Sequence, residues 1–196
     1  MSKQNRREDH YSRKAKKERF PARSVYKLKE IQQKHNLIKK GNKILDLGCS
    51  PGSWLLYAAD MTGNKGRVVG IDLKPIAIKI PPNVKVYTSD ILLMDDIFLE
   101  SIGNNFNVVL SDMAPNTTGN KFVDGVRSFD LCQKALTLAQ KMLVPGGSFV
   151  CKIFQGEDFK EFSDSMRARF NQYKLFKPQS SRKASREIYL IGLEKK

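Results

Sequence analysis

Four acidic residues and one glycine-rich turn carry the first chemical signal in this chain. The turn reads Asp46-Leu47-Gly48-Cys49-Ser50-Pro51-Gly52-Ser53-Trp54. Glycines at such a place let the backbone approach a ligand closely, and they open onto the start of a helix. The spacing is not G-x-G-x-x-G, and no Gly-Lys-Ser/Thr follows, so both the dinucleotide fingerprint and the phosphate-binding P-loop are missing. Asp72 stands twenty residues beyond Gly52 at the end of an apolar run, where a carboxylate accepts hydrogen bonds from both hydroxyls of an adenosine ribose. Asp90 is placed to meet an adenine amino group, and Asp112 to face the charged end of the same ligand. Singly, each of these is as readily a turn residue or a helix cap. Together with Asp46 they make four acidic strand ends around one glycine turn, which points to a nucleoside ligand.

The elements that must hold these residues alternate. Short apolar runs at Lys43–Leu47, Arg67–Asp72, Val84–Thr88, Asn107–Ser111 and Ser148–Phe154 read as strands. Helical spacing separates them at Trp54–Met61, at Val126–Leu143 and from about Glu157 to Phe170, the second of these stopping at Pro145-Gly146-Gly147. A first helix from Ser24 carries Val25, Leu28, Ile31 and His35 on one side and Lys27, Lys29 and Lys34 elsewhere. Tyr173–Phe176 and Glu187–Leu193 close the chain as two strands joined by a basic loop. That alternation predicts a doubly wound, mostly parallel sheet. The last two strands lie too close in sequence for a helical crossover, so one of them runs antiparallel. A reversed strand near the end is similar to the arrangement of Rossmann-like methyltransferases. With a ribose-binding acid and no pyrophosphate loop, S-adenosyl-L-methionine fits the cofactor end better than NAD does.

Charge narrows the partners. The 196 residues hold 35 Lys+Arg against 20 Asp+Glu, a net charge of +15. Such a field suits a protein that docks on polyphosphate. Residues 1–20 alone contribute eight basic side chains against three acidic ones and read as a basic, partly disordered arm, leaving 21–196 as a single catalytic domain. No apolar run reaches the roughly 20 residues of a membrane helix, and no signal-peptide core is present, so the expectation is a cytoplasmic protein. Cys49, Cys132 and Cys151 form no CxxC pair and the histidines are only His10 and His35; buried thiols are expected, with no metal and no disulfide.

Longer motifs are more specific. Ser111-Asp112-Met113-Ala114-Pro115-Asn116, then Val150-Cys151-Lys152-Ile153-Phe154-Gln155-Gly156, then Ser180-Ser181-Arg182-Lys183-Ala184-Ser185-Arg186-Glu187-Ile188-Tyr189 occur in that order. Arg13–Lys17 and Ala22-Arg23-Ser24-Val25-Tyr26-Lys27-Leu28 precede them. From about Asp9 to the end the chain resembles the FtsJ/RrmJ (RlmE-like) family of S-adenosylmethionine-dependent ribosomal RNA 2′-O-ribose methyltransferases. The resemblance implies an α/β, Rossmann-like class I methyltransferase fold: a mostly parallel seven-stranded sheet with one antiparallel strand near the C-terminus. It also implies a catalytic tetrad at Lys27, Asp112, Lys152 and Glu187, and cofactor-binding positions at Gly52, Trp54, Asp72, Asp90 and Asp112. Ser53 stands where the family commonly has a second glycine; a hydroxyl at a helix start is expected to be tolerated there as a cap.

The chemistry implied is RNA methylation in ribosome biogenesis: transfer of a methyl group to the 2′-hydroxyl of a uridine ribose in large-subunit ribosomal RNA. The substrate is ribosomal RNA or the assembled large subunit, with no obligate protein partner. A ribose hydroxyl is a poor nucleophile until its proton is shared. A lysine titrates near about 10.4 in water, and burial or a neighbouring cation is what turns such an amine into a base. Lys152, inside the apolar run Ser148–Phe154, is the expected base; Asp112 orients it, and Glu187 holds Lys27 or meets the ribose. Lys29, Lys34, Lys39, Lys40 and the loop Lys177–Arg186 are expected to form a basic docking surface, and Phe20, Tyr26 and Phe122 either stack on a base or join the core. The alternatives are a tRNA or mRNA-cap ribose methyltransferase, a non-catalytic RNA-binding assembly factor, and an NAD-dependent oxidoreductase.

Overall fold

The computed structural model describes residues 10–156, 158–182 and 184–196. Its centre is a seven-stranded sheet in the order β3-β2-β1-β4-β5-β7-β6. The strands are β1 (Lys43–Leu47), β2 (Arg67–Asp72), β3 (Val84–Thr88), β4 (Phe106–Ser111), β5 (Leu143–Phe154), β6 (Phe170–Phe176) and β7 (Glu187–Lys195). β1, β2 and β4 are almost wholly buried, as strands covered on both faces must be, whereas β3 and β6, at the two edges, keep exposed positions. β1 pairs in parallel with both β2 and β4, so the strand order reverses there and opens a crevice at the C-terminal ends. The expected reversed strand is β7, inserted antiparallel between β5 and β6.

Period-two alternation divides the strands between two cores. Leu45, Leu47, Val109, Phe149 and Cys151 face α4 (Asp96–Ile102), α5 (Lys121–Met142) and α6 (Phe159–Arg169). Ile44, Val108, Leu110, Val150 and Tyr189 face α2 (Val25–His35) and α3 (Ser53–Thr62). All three cysteines are buried, and no helix among the described residues is long and apolar enough to cross a membrane.

Four elements depart from the sequence reading. α1 (His10–Lys17) is a helix whose Ala15 is buried with Val25 and Tyr26, so the expectation of a partly disordered arm does not describe residues 10–20; residues 1–9 lie outside the described residues. α4 is a seven-residue helix, too short for periodicity to reveal, started by Asp95, whose carboxylate accepts the Phe98 N–H at 2.8 Å. α5 begins at Lys121, five residues early, because Asn120 caps it; β5 in turn begins at Leu143 and carries Pro145-Gly146-Gly147 as an irregularity in its ladder with β4. The proposed helix start at Glu157 lies outside the described residues.

One close approach decides how the reversed strand packs. A Cβ at Gly192 would lie 2.5 Å from the Phe170 ring, which is stacked on Phe149 with centroids 6.3 Å apart. Gly192→Ala is therefore expected to cost about 1–3 kcal/mol, read as a lower urea midpoint with unchanged far-ultraviolet circular dichroism.

Candidate active site

At the sheet's switch point lies a cleft of about 710 Å³, a volume that suits a nucleoside-sized ligand. Gly48, Ser50 and Pro51 form one wall, and Asp72, Asp90 and Asp112 reach into it from the ends of β2, β3 and β4. Gly48 needs its freedom: φ is +76°, and a Cβ would fall 2.5 Å from Met113. The carboxylates do two jobs. Asp72 accepts the Ser50 N–H at 2.9 Å and the Lys74 N–H at 2.8 Å, and Asp90 accepts the Leu92 N–H at 2.9 Å. Each thus organises its turn while still bordering the cleft.

Gly52 and Trp54 stand behind this wall. Gly52, at φ +107°, turns the chain into α3. The Trp54 indole points away from the cleft, donating to the Ser24 carbonyl at 2.8 Å and lying over Tyr189; what it offers a ligand is its backbone N–H in the first turn of α3. Asp46 is not a cleft residue: it is 1% exposed, both carboxylate oxygens lack a partner, and burial, then Asp112 and Asp72, push its pKa well up. Arg127, on α5, borders the cleft and was not singled out in the sequence, since one arginine on a mixed helix carries no local signal.

The four tetrad residues meet beside this cleft as two ion pairs. Lys152 Nζ lies 3.0 Å from Asp112 Oδ1 and also donates to the Asp112 carbonyl; Lys27 Nζ lies 2.7 Å from Glu187 Oε1. Lys152 and Glu187 are only 7% and 8% exposed. The antiparallel register sets Lys152 opposite Tyr189 and Phe154 opposite Glu187, so Lys152, Tyr189 and Glu187 share the face on which α2 brings Lys27. Burial alone would raise Asp112 and Glu187, but Lys152 and Lys27 outweigh it, helped by Tyr189 and Ser181, and both carboxyls titrate below their ordinary range. The Tyr189 hydroxyl donates to Asp112 Oδ1 at 2.5 Å, and Ser181 donates to Glu187 Oε1 at 2.7 Å. Tyr189 went unassigned in the sequence, although its place two residues after Glu187 puts both on one strand face.

Around the tetrad, backbone latches fix α2. Ser53 Oγ accepts the Ala22 N–H at 2.7 Å and donates to the Ala22 carbonyl at 3.1 Å. It caps nothing in α3, contrary to expectation, and is not among the residues of positive φ. Glu30 accepts the N–H groups of Gln179 and Ser180, and Arg23 donates to the Ser180 carbonyl. Part of the expected docking surface is likewise structural: Lys29 pairs with Glu18 at 2.6 Å over aromatic rings, and Lys177 donates to the carbonyls of Ser185 and Glu187. Phe20 and Tyr26 pack against α1. Lys183 lies outside the described residues.

Ser53→Ala removes both latch bonds and is expected to cost about 1–3 kcal/mol in denaturant unfolding. The depressed carboxyls stabilise the fold above the unfolded value of about 4, and that stabilisation drains away as pH falls through their lower native values. Stability should therefore drop steeply below pH ~4, and Glu187→Gln should flatten this acid limb in unfolding measured against pH.

Comparison with known proteins follows the same lines. The sequence pattern of the family described as FtsJ-like methyltransferase matches residues 20–195. The chain is 55% identical over 194 residues to the ribosomal RNA large subunit methyltransferase E of Desulforapulum autotrophicum, spanning 99% of this chain and 96% of that one. It is 49% identical over 191 residues to the protein of the same name from Bdellovibrio bacteriovorus, spanning 96% of this chain and 97% of that one. A crystal structure of a ribosomal RNA methyltransferase from Plasmodium falciparum superposes with a TM-score of 0.80 at 30% identity, covering 90% of this chain and 98% of that one. On its matched length, its sheet and its relatives, the chain belongs to the FtsJ-like methyltransferases.

Proposed function

We propose that this protein transfers a methyl group from S-adenosylmethionine to the 2′-hydroxyl of a ribose, in a uridine of large-subunit ribosomal RNA, with Lys152 as general base. The observation that carries this reading is the pair of lysine–carboxylate contacts, one of which reaches a nucleoside-sized cleft through Asp112 while the other, Lys27–Glu187, borders a neighbouring cleft. The relatives' names supply the substrate class, and a cytoplasmic setting goes with it.

The cleft fits the cofactor. Asp72, with lone pairs left after its two turn bonds, would hold ribose hydroxyls; Asp90 beside Leu92 would meet the adenine; Asp112 would face the amino-acid end, and Gly52 and Trp54 would close the loop side. When bound, S-adenosylmethionine supplies a methyl carbon made electrophilic by its sulfonium. What remains is the acceptor oxygen. Having first released its own proton to solvent, the neutral Lys152 amine takes the 2′-hydroxyl proton as that oxygen attacks the methyl carbon. Its position is fixed by the Asp112 carboxylate and carbonyl, and the ammonium so formed is the species paired with Asp112. Tyr189 fixes Asp112 in turn. Lys27, restrained by Glu187, presents N–H donors to the ribose oxygens. Burial of Lys152 and Glu187, with Lys27 and Asp112 only partly exposed, limits the water that competes for these contacts.

The test uses tritiated S-adenosylmethionine and large ribosomal subunits from cells lacking the protein. Wild type should label a ribose 2′-oxygen, and Lys152→Ala should lower the rate roughly 100- to 10,000-fold with cofactor affinity unchanged. Label on a base atom, or full activity in Lys152→Ala, would refute the assignment.

A further inference from the structure

The two ion pairs act on a ribose and carry nothing that reads a base. A second cleft, of about 270 Å³, lies between the start of α5 and the junction of β5 and β7. Lys121, Phe122 and Val126 border it from α5, Gly156 and Asp158 from the turn after β5, and Arg186 from the residue before β7. Among the described residues Phe122 is the one exposed phenylalanine, tyrosine or tryptophan side chain, at 65%. Every other Phe, Tyr and the tryptophan are buried or half-buried, including Phe20 and Tyr26.

The backbone at Phe122 is held by a built helix start. Asn120 Oδ1 accepts the N–H groups of Phe122 at 3.0 Å and Val123 at 3.3 Å. Asp124 accepts from the Thr118 and Gly119 N–H groups and the Thr118 hydroxyl, closing the loop that precedes it. Val126 follows Phe122 by four residues and lies on the same helix face; between them Gly125 adds no side chain, and a Cβ there would meet nothing within 4 Å. Across the cleft the Arg186 guanidinium donates to the Gln155 carbonyl while the Gln155 N–H donates back to the Arg186 carbonyl at 3.0 Å, which holds that side chain in place. Neither Lys121 nor Arg186 is in an ion pair among the described residues, and among the described residues that border the cleft two cations accompany one carboxylate, that of Asp158. The cleft also continues the catalytic surface: Arg186 adjoins Glu187, and Gly156 follows Lys152 by four residues, ~13 Å of extended chain.

An exposed aromatic face with an aliphatic neighbour and an anchored guanidinium is the chemistry that receives an unstacked nucleobase and the phosphate beside it. Two apolar side chains flanked by cations make too small and too charged a surface for an apolar protein segment. We infer that this cleft takes a base flanking the methylated nucleotide, stacked on Phe122, with Arg186 and Lys121 on its phosphate. The inference rests on the proposed RNA substrate and adds the residue that would discriminate its single-stranded context.

Wild type, Phe122→Ala and Phe122→Trp would be compared by anisotropy with a fluorescein-labelled single-stranded oligoribonucleotide, and by methyl transfer to large subunits from cells lacking the protein. Phe122→Ala should bind the oligonucleotide on the order of 5- to 100-fold more weakly and raise KM for subunits while leaving kcat and cofactor affinity unchanged; Phe122→Trp should restore both. Oligonucleotide binding unchanged in Phe122→Ala overturns the base site, including the case where only KM for subunits rises, which would mark a contact with a protein or folded face of the particle. Ribose methylation by wild type together with a neutral Phe122→Ala leaves the proposed function standing and removes the base site. Phe122-dependent binding without ribose methylation does the reverse; a wild type that methylates subunits but binds no oligoribonucleotide removes the base site alone, and one that does neither overturns both.

Discussion

Charges taken out of water must find opposite charges within hydrogen-bond distance, because an uncompensated buried ion costs several kcal/mol. Two ammonium groups and two carboxylates here meet that demand as Lys152–Asp112 and Lys27–Glu187, at 3.0 and 2.7 Å. The partners come from four segments, the end of β4, the C-terminal end of β5, the start of β7 and the first turn of α2. None of the four can move alone without stranding a charge. The sheet order, the antiparallel register of β5 and β7, and the seating of α2 are all consequences that this arrangement requires.

The seating of α2 is the least obvious of these, since a helix on a sheet is free to slide along its apolar stripe. Val25, Leu28 and Ile31 give it a face but not a position. Directional bonds supply the position: Ser53 to Ala22, Trp54 to Ser24, and Glu30 to the backbone of Gln179 and Ser180. A serine in place of a small, silent residue after Gly52 thus contributes a tether between the glycine turn and the helix that carries Lys27.

Much of this was legible in the residues. Strand runs such as Lys43–Leu47 and Arg67–Asp72 are short, apolar and bounded by glycine or aspartate, and they fold over those same spans. The glycine turn and the acids Asp72, Asp90 and Asp112 do converge on one cleft. Asp46 shows where such reasoning stops: position at a strand end says nothing about which side of the loop a carboxyl faces, and this one is sealed inside. α1 was obscured by its own charge, because its single buried residue, Ala15, leaves a pattern no different from a solvated arm. Lys29 and Lys177 were read as phosphate contacts, yet the first neutralises Glu18 and the second ties carbonyls of its own loop. Long-range partners of that kind have no local trace in a sequence.

The insertion of β7 between β5 and β6 has a consequence in time as well as in space. Synthesis proceeds from the N-terminus, so six strands, the glycine turn and both lysines leave the ribosome before the strand that supplies Glu187 and Tyr189. Until it arrives, β5 and β6 are open edges with unpaired backbone groups, the kind of surface that invites pairing with another chain. Lys27 and Lys152 meanwhile lack part of their charge complement. The nascent chain is thus most exposed to misassembly until β7 is added, and one strand closes the sheet and completes both ion pairs in the same event.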